Sequence, residues 1–121
     1  MKATLTLLAL SAFCLAATSV DVAEADEICK SGICVVEFNA SFNSGNSVPW
    51  IESLSDCNTA RIDIASNPAM QSDHKIVVVP TVVIFNEGEE VKRFQANIMM
   101  TLEASKDDVQ EAIDEILMSD F

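Results

Sequence analysis

The sequence predicts one three-layer α/β domain, a mixed sheet of four to five strands with helices flanking it. Two runs, Ile33–Phe38 (ICVVEF) and Thr81–Phe85 (TVVIF), are short, apolar and rich in β-branched residues, as buried strands are. Helix starts are marked between and after them, at Ser66-Asn67-Pro68 and at Ser105. The resulting order is strand, helix, strand, helix, strand, strand, helix. Strands joined through helices imply parallel or crossover connections, and the final strand pair implies an antiparallel hairpin.

Each element has a local cause. Gly32 precedes the first strand, and the polar stretch Asn39–Ser47 (NASFNSGNS) ends it in turn chemistry. Asn46 or Ser47 can cap a helix with Pro49 in its first turn, running through Trp50, Ile51 and Leu54 to about Asp56. Thr59–Ile64 alternates and reads as the second strand. Pro68 opens a short helix to about His74. Asn86-Glu87-Gly88-Glu89 turns the third strand into a fourth, Glu90–Phe94. Gln95–Ala104 fits neither period. Ser105 and Asp108 then resemble a capping box, and Val109, Ala112, Ile113, Ile116 and Leu117 form an apolar stripe at helical spacing.

Length and charge bound the function. With 121 residues, 50% of them apolar, the chain holds one domain with a real core. A formal net charge of −12 repels nucleic-acid phosphates and anionic headgroups, which argues against nucleic acid as a partner. Lys2 precedes an apolar run, Ala3–Ala17, followed by small residues and then Asp21, Glu24, Asp26 and Glu27. That order reads as a secretory signal over residues 1–19, cleaved between 17 and 25, with the domain spanning 26–121. Export to the periplasm or the extracellular space is therefore expected, with no membrane contact beyond the signal segment. Cys14 would leave with the signal, and Cys29, Cys34 and Cys57 would meet an oxidising compartment. Cys29-x4-Cys34 is a poor metal clip, even with His74 as a further ligand, so neither a metal nor another cofactor is expected.

Val36-Glu37-Phe38 before a loop, the Asp63–Pro68 stretch, and Val79-Pro80-Thr81 leading into Val-Val-Ile-Phe-Asn-Glu-Gly resemble the thioredoxin family. The resemblance runs from about Ile33 to Leu117. It implies a thioredoxin-like fold with a cis Pro80, whose neighbour Val79 offers its backbone to a bound peptide. It also places the redox Cys-x-x-Cys on Asn43-Ser44-Gly45-Asn46. Dithiol exchange needs a thiolate at a helix N-terminus and a second, resolving thiol, and asparagine supplies neither. No catalytic residue is expected there.

Further implications of the resemblance follow. Glu37 takes the place of a buried acid and Arg61 that of its basic neighbour, so the two are expected to form a buried ion pair. If the first two strands are parallel neighbours, Cys34 and Cys57 lie at the same strand ends and a Cys34–Cys57 disulfide is expected, with Cys29 paired to either one as the rival. Phe42, Val79, Pro80, Met99 and Met100 are the expected peptide-binding residues, with Ile98 and Leu102 beside them; the alternative is that this segment packs inward. The expected function is an exported, non-catalytic module binding extended or unfolded polypeptide, or a dedicated exported protein. An oxidoreductase acting through Cys29, Cys34 or Cys57 is the alternative.

Overall fold

The computed structural model describes residues 27–119. The signal segment, its cleavage sites and Cys14 lie outside the described residues. Four strands form one sheet: β1 (Ile33–Asn39), β2 (Asn58–Asp63), β3 (Thr81–Asn86) and β4 (Glu89–Gln95). Their spatial order is β2-β1-β3-β4. β1 runs parallel to β2 and antiparallel to β3, and β3–β4 is an antiparallel hairpin. The mixed α/β class and the hairpin agree with the sequence; β3 reverses direction relative to the first two strands.

β1 is buried along its whole length because both of its faces are covered. Even-numbered residues Cys34, Val36 and Phe38 join Ile62, Met70, Val83 and Phe85 on one face. Odd-numbered Ile33 and Val35 join Ile51, Val82, Ile84, Val109 and Ile113 on the other. This follows from the period of two along a strand. Helix α1 (Pro68–Asp73) lies on the first face, and α2 (Lys106–Ser119) on the second. Ser105 and Asp108 form the reciprocal capping box: Asp108 N–H donates to Ser105 Oγ at 3.2 Å and Ser105 N–H to Asp108 Oδ2 at 2.9 Å. The β3–β4 turn places Glu87 at φ 53° and Gly88 at φ 85°, the left-handed pair that a two-residue hairpin needs.

The helix expected over Pro49–Asp56 is absent. In its place stands one short 3₁₀ segment, Ile51–Ser53, and another, Ser41–Asn46, lies in the loop before it. Both backbone polar groups of Val48 are taken: its N–H donates to Glu37 Oε2 at 2.8 Å, and its carbonyl, which would accept the first bond of a helix opening at Pro49, accepts instead from Arg61 Nη2 at 2.9 Å. A long-range ion pair has captured the backbone that would have continued a helix.

Candidate functional site

Asn43 sits in the first 3₁₀ segment, beyond the end of β1, and its side chain turns inward. Its Nδ2 is shared among three acceptors: Asn39 Oδ1 at 3.2 Å, Val79 O at 3.4 Å and Met100 O at 3.2 Å. Its Oδ1 accepts from Asn46 Nδ2 at 2.9 Å. Asn39 Nδ2 completes the network, donating to Asn43 O at 3.2 Å and Ser47 Oγ at 3.3 Å. One buried amide therefore ties the loop after β1 to the loop before β3 and to the loop after β4. The Val79–Pro80 peptide bond is cis. Among the described residues the Val79 N–H has no acceptor, while its carbonyl is held by Asn43.

The segment after β4 is a rigid knuckle. Asn97 N–H donates to Thr101 O at 3.0 Å and Met100 N–H to Asn97 O at 3.0 Å. The Asn97 side chain accepts from Met99 N–H at 2.9 Å and Thr101 N–H at 3.2 Å. Such Asx-type closure lets Met100 hold φ 60°. The knuckle points apolar residues outward: Ile98 is 95% exposed and Met99 74%, with Phe42 at 75% and Val77 at 76% nearby. Between them lies a groove of about 320 Å³ whose lining includes Phe42, Ile64, Val77, Val79, Ile98 and Met100. Among the described residues no charged side chain lines it. Of the expected peptide-binding residues, Phe42, Val79 and Met100 line this groove and Met99 projects beside it, whereas Pro80 is buried behind Val79. Trp50 packs against the core on the α2 side.

Beneath the tip, Arg61 Nη1 donates to Glu37 Oε1 in a pair fixed by the β1–β2 register, which sets Glu37 opposite Arg61. Glu37 is 1% exposed. Burial raises its carboxyl above the ordinary range, opposed by the Val48 N–H and by the Arg61 charge.

The disulfide corrects the expected pairing: Cys29 bonds to Cys34, with Cα atoms 5.1 Å apart, and Cys57 is free. Register explains the failure of Cys34–Cys57. Cys34 pairs with Asn58, so Cys57 lies one residue out of step. With a period of two, that single step puts the Cys57 thiol on the opposite face, where it packs on the α2 side. The Cys29–Cys34 bridge instead pins the segment before β1 to the strand. Cys29 also lines a second cavity of about 250 Å³ with His74, whose ring lies tilted against Phe38 (5.2 Å between centroids) and edge-on to Phe85 (5.6 Å).

Burial, with Asp56 beside it, pushes the Cys57 thiol up to about 11. Alkylation of native protein without reductant is therefore expected to be slow at about pH 7.5 and still accelerating at about pH 10, unlike an ordinary thiol. Reducing Cys29–Cys34, whose partners are 5 residues apart, should cost only about 2 kcal/mol because the closed loop is short. Thiol counting by mass and urea titration with and without reductant measure both. A chain that unfolds on reduction would show the bridge to be holding far more than its loop.

The sheet order, the cis-proline beside the tip, and α2 against one face define a thioredoxin-like α/β fold. No family model matches the chain, and no curated protein matches it. Solved structures do. A thioredoxin variant from Halobacterium salinarum superposes with a TM-score of 0.66 at 22% identity, over 80% of this chain and 86% of that one. Schistosoma mansoni thioredoxin gives 0.61 at 22% identity, over 80% and 88%. A designed protein gives 0.61 at 25% identity, over 79% and 91%. What is shared is the fold, and function has to come from the site.

Sequence reasoning missed the roles of Asn39, Asn97 and the Met100 carbonyl. Asn97 had a readable signal, an Asx-turn former before an apolar stretch. The Met100 carbonyl had none, because a backbone group leaves no trace in the sequence.

Proposed function

We propose that this protein is an exported, non-catalytic thioredoxin-like module that binds an extended apolar polypeptide segment at the groove beside Val79. One observation carries this: the buried amide of Asn43, where the sequence resemblance would put a nucleophilic thiol, braces the groove walls by bonding Val79 O and Met100 O. The thiolate that dithiol exchange requires is stabilised at a helix N-terminus. Here the thiols are missing and the helix has become 3₁₀ stubs. The groove supplies what loose recognition of a chain uses: exposed apolar side chains, adaptable Met contacts and a backbone N–H at Val79. Export is supported by the leader pattern and is compatible with the Cys29–Cys34 bridge.

Nuclear magnetic resonance titration with an extended apolar peptide tests the site. Shifts are expected at Phe42, Val79 and Ile98–Met100, weakened in an Ile98→Ser, Met99→Ser double variant. Shifts confined to Cys29, His74 and the second cavity would overturn it. So would catalysed reduction of a test disulfide that is lost in Cys29→Ser. Intact mass of protein recovered from the exported fraction tests the leader, with loss of 17 to 25 residues expected.

A further inference from the structure

We infer that the tip groove selects an apolar segment flanked by lysine or arginine, so that its partner is a cationic polypeptide and not a second copy of this chain. The inference rests on the groove being the binding site and adds the chemistry of the partner. Its lining among the described residues is uncharged. Two of its lining residues are nonetheless each bonded to a carboxylate. Asp63, which also borders the neighbouring cavity with Arg61, accepts through Oδ1 from the N–H of Ala65, a lining residue, at 2.9 Å, and through Oδ2 from Ser66 Oγ at 3.2 Å. Glu103 Oε2 accepts from Nδ2 of Asn97, also a lining residue, at 2.9 Å. These bonds fix the positions of the charges without neutralising them.

Cations are scarce around this frame. Arg61 is committed to Glu37 and Arg93 to Glu90. Lys75, which precedes Ile76 and Val77, is the cation that adjoins the groove along the chain. The whole chain carries −12, so two copies meeting tip to tip would bring like charges together around an uncharged floor. The same field attracts a basic chain. An apolar core with basic ends satisfies the floor and the rim together, and a polypeptide with acidic ends satisfies the floor alone.

Three peptides sharing one apolar core, flanked by Lys, Ser or Glu, discriminate the cases by fluorescence anisotropy on the whole protein. The Lys-flanked peptide is expected to bind at least about tenfold tighter than the Glu-flanked one in about 0.05 M salt. That gap should shrink severalfold in about 0.5 M salt, where the Debye length falls to about 4 Å. Glu103→Gln keeps an acceptor for Asn97 and should weaken the Lys-flanked peptide about two- to threefold while leaving the Ser-flanked one unchanged. Equal binding of all three peptides would overturn the inference and leave the groove as a binding site. A tip-mediated dimer in sedimentation at micromolar protein, displaced by the Ser-flanked peptide, would also overturn it. Failure of every peptide to bind would instead remove the proposed function itself.

Discussion

Replacing Arg61 with Met is expected to destabilise the fold by about 3–5 kcal/mol near pH 7 and by much less near pH 4. The substitution leaves Glu37, 1% exposed, as a buried carboxylate holding only the Val48 N–H. The direction with pH follows from linkage. Burial already holds the folded Glu37 carboxyl above its ordinary value, with Val48 and Arg61 pulling it down. A raised folded value means that the group contributes its stability fully below the unfolded carboxylate range, about 4.3, and loses it as pH rises through the folded value. Removing the Arg61 charge raises the folded value further, so the loss grows from acid toward neutral pH. Urea titrations near pH 4 and pH 7 measure the two limits. Equal losses at both would show that Arg61 acts through packing and its bond to the Val48 carbonyl, with its charge irrelevant. A Glu37→Gln, Arg61→Met double variant should recover much of the neutral-pH loss, because no unpaired charge is then buried.

That ion pair also separates what could be read from the sequence from what could not. β1 and β3 were legible as β-branched runs, the β3–β4 turn through Glu87-Gly88, and the start of α2 through Ser105 and Asp108. Each of these is decided within a few residues. The stretch after Pro49 was misread as a helix because its fate is set by residues far along the chain: Glu37 in β1 and Arg61 in β2 take both polar groups of Val48. The disulfide was misassigned for a related reason. Proximity of Cys34 and Cys57 followed from parallel strands, but which face each thiol took depended on a register offset of one residue. Chemistry at the tip was half legible. That Asn43 and Asn46 carry no thiols is plain in the sequence, and the amide network they build needed the fold to bring three loops together.

Asn43→Ala should cost about 1–3 kcal/mol and, beyond that, loosen the groove. Alanine keeps the backbone geometry of the 3₁₀ segment but strips the amide from four partners: Asn39 Oδ1, Val79 O, Met100 O and Asn46 Nδ2. Val79 is 6% exposed, so its carbonyl would be left buried without that donor. Leaving buried acceptors unpaired accounts for the stability loss, since water reaches them poorly. The second effect is positional. Met100 O is where the 97–101 knuckle is tied to the rest of the tip, and the knuckle's internal bonds to Asn97 survive without it. The knuckle should therefore keep its own shape and move as a unit. Hydrogen exchange reads this directly: the amides of β1 and β3 should exchange faster only by the global stability loss. The Met99 and Thr101 amides, bonded to Asn97 Oδ1, should remain protected relative to a chain in which Asn97 is replaced by Ala. Peptide affinity should fall by more than the Met99→Ser substitution alone produces, because both groove walls lose their common brace. If affinity is unchanged while stability falls, the amide network is structural filling left where a thiol would stand, and the groove owes its shape to Phe42, Val77 and Ile98 alone. If the knuckle amides instead exchange freely, its order comes from Asn43, and Asn97 only follows it.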